Sequence, residues 1–220
     1  MPHSRTPARA WNEMVRGNER FVAGEPQHPR QDVERREELE FAQEPHAALF
    51  GCSDSRLAAE IIFDKGIGDL FVVRNAGQVI SDSVVGSLEY AVGVLHVPLI
   101  VVLGHDSCGA VRAAIDSQGA DAPLLPPHIN TLIQKIVPAV RRVGGSPAGD
   151  LDVEMIDSQA VGREHLRDTI AELLNESELI SDAVADGTLG IVGANYHLRE
   201  GRAVADITLG SLDTPDRPNS

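Results

Sequence analysis

Three short, almost unbroken apolar runs, HAALFG at 46–51, LFVVR at 70–74 and LIVVLG at 99–104, most tightly constrain how this chain can fold. A strand with one wet face alternates polar and apolar residues, and these runs do not. They suit strands covered on both faces, as in a parallel sheet flanked by helices. Parallel neighbours need a long crossover. Between the second and third runs, residues 82–95 supply one, with Val84, Val85, Leu88, Val92 and Leu95 forming a helical stripe.

The same reading extends outward. Residues 189–195 (LGIVGAN) make a fourth parallel strand, and residues 202–209 (RAVADITL) alternate after the turn Arg199-Glu200-Gly201, as an antiparallel edge strand would. Helical spacing covers 109–115, 128–143 interrupted or bent near Pro138, 153–175 and 178–185. Ahead of the first strand, Trp11, Met14, Val15 and Phe21 mark a helix over 7–22, and a second, highly charged helical stretch covers 30–40. These two carry little apolar surface, which suits either an arm laid on a partner subunit or local packing on the same domain. The expected architecture is an α/β fold: a central, mostly parallel four-stranded sheet with an antiparallel edge strand, helices on both faces and an N-terminal helical arm. The arm takes residues 1–40, the domain 41–212, and a disordered tail 213–220.

A chain of 220 residues can bury such a core without disulfide staples. Its net charge of −14 argues against nucleic acid and against an anionic membrane surface, since both call for clustered Lys and Arg. No stretch approaches the ~20 apolar residues of a membrane span. The N-terminus lacks the apolar core of a secretory signal, so a cytoplasmic location is expected. In that reducing setting the two cysteines, Cys52 and Cys108, are read as thiols for a metal or for catalysis rather than as a disulfide.

Their positions favour a metal. Cys52-Ser53-Asp54-Ser55-Arg56 follows the first strand, Arg74-Asn75-Ala76-Gly77 the second, and His105-Asp106-Ser107-Cys108-Gly109 the third. Open α/β sheets place their sites at such carboxyl-terminal strand ends. Cys52 and His105 therefore stand at equivalent strand ends, with Cys108 in the next helical turn. Two thiolates and an imidazole are ligands for a borderline-soft dication such as zinc, and three protein ligands leave a tetrahedral position open. A structural zinc would want a fourth protein ligand, and there is no third cysteine. The site reads as catalytic.

CSDSR followed by GHDSCG, with VVRNAG and EYAV between them, resembles the paired signatures of the β-class carbonic anhydrases, and the resemblance runs from Trp11 to Leu209. It implies one Zn²⁺ per chain on Cys52, His105 and Cys108, and reversible hydration of carbon dioxide to bicarbonate and a proton by attack of zinc-bound hydroxide. Asp54 and Arg56 match the family's catalytic Asp–Arg dyad. Asp54 is then either a fourth ligand in a closed state, or is held by Arg56 and accepts a hydrogen bond from the nucleophile.

Gln43, nine residues before Cys52, matches a glutamine that binds substrate. The amide of Gly109, at a helix N-terminus, suits an anionic oxygen of bicarbonate. Phe71 and Tyr90 match residues lining the cleft, and they suit a core strand and helix equally well. Ala76 stands where a larger apolar residue is common. The family assembles as homodimers or homotetramers, so Gln43 and the aromatic residues can come from a neighbouring chain. His3, His28, His96, His128, His165 and His197 are proton-shuttle candidates by residue type alone. Two other functions fit the same ligands: hydrolysis of carbon disulfide or carbonyl sulfide, and a non-catalytic zinc or redox sensor built on the Cys52–Cys108 pair.

Overall fold

The computed structural model describes residues 6–145 and 151–212. The apolar runs form β1 (Ala47–Cys52), β2 (Leu70–Asn75) and β3 (Leu99–His105), joined by β4 (Gly190–His197) and β5 (Arg202–Leu209). Every residue of β1 and β3 is buried, which is why neither run needs polar alternation. The order is β2-β1-β3-β4-β5, with the first four strands parallel and β5 antiparallel to β4. The expected sheet is present. From β1 the chain steps to β2 on one side, then returns across β1 to place β3 on the other. That reversal opens a crevice at the carboxyl ends of β1 and β3, where Cys52 and His105 stand.

Successive strand residues face opposite layers. Leu49, Val101 and Leu103 pack with Met14 of α1 (Pro7–Ala23), Val111 of α5 (Gly109–Asp116) and Val140 of α7 (Val137–Gly144). Ala48, Phe50, Ile100 and Val102 pack with Leu88 of α4 (Asp82–Gly93), Leu166 and Leu173 of α8 (Ser158–Glu176) and Ile180 of α9 (Glu178–Ala185). Helices thus cover both faces. Among the described residues no helix is long and apolar enough to cross a membrane.

The N-terminal helix α1 packs on its own domain. Thr6 caps it by accepting from the Arg9 amide, Pro7 opens it, and Gly24 ends it at φ 73°. Its Ala10 and Met14 are buried in the core. Asn18 donates to the carbonyls of Ile62 and Gly201 and accepts from the amide of Ala203. The charged stretch forms only α2 (Val33–Glu38), which buries no residue.

The spacing over 128–143 forms two helices, α6 (Pro127–Gln134) and α7, with the interruption expected near Pro138, which has no N–H to offer the preceding turn and sits at the start of the second helix. Two other elements differ from the sequence reading. The helix expected from residue 153 begins at Ser158, where the Asp157 side chain caps it. The four-residue α3 (Ala59–Ile62) is too short to show periodicity. The tail expected at 213–220 lies outside the described residues.

Candidate metal centre

The loop after β1 is pinned from the neighbouring strand. The guanidinium of Arg74, near the end of β2, donates to the carbonyls of Cys52 (2.9 Å) and Asp54 (2.6 Å). Asp54 accepts from the Arg56 amide at 3.0 Å and takes the two-pronged grip of its guanidinium at 2.8 and 2.6 Å. Arg56 also reaches the Ser107 carbonyl at 3.3 Å, tying the loop after β1 to the loop after β3. Arg56 holds the Asp54 carboxyl well below the usual carboxylate range. Asp54 therefore lies on Arg56 in this structure.

After β3 the chain turns sharply. Ser107 adopts φ 50°, a left-handed conformation that costs a residue with a Cβ about 1–2 kcal/mol. That turn brings Cys108 to the cap of α5, back toward the strand ends. The ligand atoms of Cys52, His105 and Cys108 all lie within 4.8 Å of one another, and the three residues are buried.

The donor set fits a metal. His105 Nδ1 lies 2.8 Å from the Asp106 carbonyl; a carbonyl only accepts, so the proton is on Nδ1 and Nε2 carries the lone pair. That Nε2 is buried with no hydrogen-bond partner. The sulfurs are prepared as well. A hydrogen bond from Cys108 lowers the Cys52 thiol pKa; burial opposes it, while the Gly77 amide assists. The same bond, with burial, raises Cys108. Two buried sulfurs this close resist both being ionised, which a dication between them would relieve. Two sulfurs and an orphaned imidazole nitrogen make a set suited to zinc.

The 75–79 turn completes the wall. Asn75 brackets it, its side chain donating to the Val79 carbonyl and accepting from the Val79 amide. Gly77 stands at φ 80°, and a Cβ there would meet Ala110 Cβ at 2.9 Å, so only glycine lets the backbone come this close. Its amide donates to Cys52 Sγ at 3.4 Å. Beside these strand ends lies a cavity of about 70 Å³, bounded by His105, Asp106, Asn195 and His197 among others.

At this crevice the structure gathers Cys52, Asp54, Arg56, His105, Cys108 and Gly109, the last being the exposed first residue of α5. Gln43, Phe71 and Tyr90 are not brought there within one chain. Gln43 is exposed before the opposite, amino-terminal end of β1. Phe71 pairs with Ala48, which puts it roughly 13 Å back along the strands from Cys52. Tyr90 stacks near Phe71 with ring centroids 6.1 Å apart. Ala76 is exposed beside Gly77.

Of the candidate shuttle histidines, His28, His96 and His128 are exposed at other places, and His3 lies outside the described residues. His165 is buried, and His197 places Nδ1 3.6 Å from Asp106 Oδ2 at the cavity wall. From sequence, Arg74 and Gly77 mark a strand end at the site with no contact assigned to them, and His165 is a shuttle candidate by residue type alone. The only signal was VVRNAG itself, an arginine closing an apolar strand ahead of a glycine turn.

The chain matches the family model described as carbonic anhydrase over residues 47–203. It is 47% identical over 215 residues to carbonic anhydrase 2 of Mycobacterium tuberculosis, a match covering 96% of this chain and 98% of that protein. It is also 47% identical over 213 residues to a carbonic anhydrase of Mycolicibacterium smegmatis, with the same coverage of 96% and 98%. Among solved structures it is similar to a tetrameric β-carbonic anhydrase of the ascomycete Sordaria macrospora. The TM-score is 0.67 at 22% identity, over 90% of this chain and 98% of that one. At that identity the likeness speaks for the fold.

Proposed function

The chain belongs to the β-class carbonic anhydrase family, and from that premise we propose that it interconverts carbon dioxide and bicarbonate at a zinc ion held by Cys52, His105 and Cys108. The observation that carries the reading is the convergence of two sulfurs and a buried, unpartnered His105 Nε2 within 4.8 Å. Held by these three residues, zinc would supply hydroxide at neutral pH by lowering the pKa of a bound water toward ~7.

Each residue of the chain has a separate task. Cys52 and Cys108 match the charge of the dication, and the Asp106 carbonyl fixes the ring of His105. Arg56 keeps Asp54 ionised and aimed, leaving the carboxylate to accept a hydrogen bond from the nucleophile and orient its lone pair. The Gly109 amide, at the start of α5, offers a donor to a developing anionic oxygen. Tyr90 is half exposed, and Gln43 and Phe71 are distant from their own chain's ligands. On this reading they serve the cleft of a second copy, so the working unit is a homodimer or homotetramer. A cytoplasmic setting keeps both thiols reduced and ready for the metal.

The test is metal analysis and stopped-flow carbon dioxide hydration from pH 6 to 9 on one sample. We expect about one zinc per chain and activity rising with pH. Full activity in protein stripped of zinc would refute the reading.

A further inference from the structure

We propose that His165 is a positioning residue for the metal ligand Cys52, acting through the backbone of Gly77. His165 sits on α8, 88 residues from Gly77 in sequence, and its Nε2 lies 2.7 Å from the Gly77 carbonyl. A carbonyl only accepts, so Nε2 carries the proton and donates. Burial lowers the His165 pKa, which keeps the ring neutral and leaves Nδ1 bare, buried and without a hydrogen-bond partner. One turn along α8, Thr169 Oγ1 donates its single proton to the nearer His165 carbonyl at 2.9 Å, with the Gln78 carbonyl at 3.3 Å. His165 Nε2 is therefore the donor from α8 that grips the turn meeting Cys52, and Thr169 ties the His165 backbone behind it.

That grip has something to hold. Gly77 and Gln78 both take positive φ, 80° and 41°, so two successive residues depart from ordinary backbone. The amide of Gly77 reaches Cys52 Sγ at 3.4 Å only in that shape. The N–H and C=O of Gly77 belong to adjacent peptide planes, so His165 cannot act on the amide by polarising it. The coupling is geometric: anchoring the carbonyl fixes the rotation about Gly77 and thereby aims the N–H at sulfur. An N–H on a thiolate withdraws charge the sulfur would otherwise give to a metal, so His165 sets both the position of Cys52 and its donor strength.

This inference rests on the reading of Cys52, His105 and Cys108 as a metal site, and the experiment separates the two. The wild-type chain, His165→Leu, His165→Gln and His165→Asn are titrated with zinc against a chromophoric chelator, and the cobalt(II)-loaded forms are compared by absorption. Wild type failing to take either metal would overturn the metal-site reading and this inference with it. With wild type loaded, His165→Leu should bind zinc about tenfold more weakly. Its sulfur-to-cobalt charge-transfer band should move to longer wavelength, because Cys52 loses an N–H donor.

His165→Gln, whose amide nitrogen extends about as far as Nε2, should restore both towards wild type. A folded His165→Leu with unmoved band and affinity would overturn the proposal, and so would equal losses in the Leu and Gln variants. Should His165→Leu fail to fold, His165→Asn decides, since its shorter amide stays polar but stops short of the Gly77 carbonyl: a band shift in the same direction supports the proposal, and an unmoved band overturns it.

Discussion

Replacing Gly17 with alanine sets two physical effects against each other. Inside an exposed helix the change favours folding by about 1 kcal/mol, because glycine gives up more backbone freedom. Here a Cβ on residue 17 would stand 1.9 Å from the Phe63 carbonyl oxygen and 2.8 Å from its carbon. Those are backbone atoms of a fully buried residue at the end of α3, so α1 itself must lift. Overpacking of this kind costs about 1–3 kcal/mol.

Lifting α1 also strains the neighbouring Asn18, which makes bonds of 3.1, 2.8 and 2.9 Å to Ile62, Gly201 and Ala203. At about 1 kcal/mol each, losing half to all of them adds roughly 1.5–3 kcal/mol. After subtracting the helix-propensity gain, Gly17→Ala should destabilise the protein by about 2–5 kcal/mol, a large share of a typical ~5–15 kcal/mol. Gly162→Ala, inside α8 with no atom within 4 Å of the new methyl, should instead gain about 0.5–1 kcal/mol. Urea unfolding at fixed protein and zinc concentration, followed by the single tryptophan Trp11 on α1 and by far-ultraviolet circular dichroism, reads both. An unchanged or raised midpoint for Gly17→Ala at constant slope would refute the packing argument.

Asp54→Asn should retain zinc and lower carbon dioxide hydration about a hundredfold. Because Arg56 already holds the Asp54 carboxyl well below its usual range, wild type and variant should share one pH midpoint between pH 6 and 9, and a displaced midpoint counts against this. Arg74→Met should cost about tenfold in kcat/KM, with little recovery in Arg74→Lys, since one ammonium cannot span the Cys52 and Asp54 carbonyls held by separate nitrogens. Asp69→Asn should cost about 2–3 kcal/mol, because the buried carboxylate accepts from Arg30 and from the Gly66 amide. Burial pushes Asp69 up, but those partners outweigh it and its folded pKa is lowered. Its stabilisation is thus complete above ~3.9, the unfolded value, and fades as pH falls through the lower folded one. Thermal melts from pH 3 to 7 should show the gap between wild type and variant closing only at the acid end.

The strands were legible because β1 and β3 are buried throughout, and burial on both faces writes itself as an unbroken apolar run. The convergence of Cys52, His105 and Cys108 was legible for a related reason: Cys52 and His105 close two such runs, and Cys108 follows by a single turn. What escaped the sequence depends on approach through space. His165 lies 88 positions from the carbonyl it meets, and nothing in its own helix distinguishes it from an ordinary core histidine. Arg74 reads as the polar end of a strand until its guanidinium is seen across the loop after β1. The start of α8 was misplaced because apolar spacing continues through residues that a capping aspartate removes from the helix, whereas Pro138 marks the break between α6 and α7 in the sequence itself.

The tie between Asn18 and the turn into β5 has a consequence for how the molecule is made. Two of its three bonds join the first helix to partners more than 180 residues later, at Gly201 and Ala203. At a synthesis rate of about 5–20 residues per second, α1 leaves the ribosome some 10–40 s before those partners exist. The carbonyl of Ile62 arrives much sooner, so α1 can rest early against α3, with its seal to the sheet still missing. A protease acting on nascent chains stalled before residue 201 should therefore cut in α1, and the same site should close once β5 has been extruded.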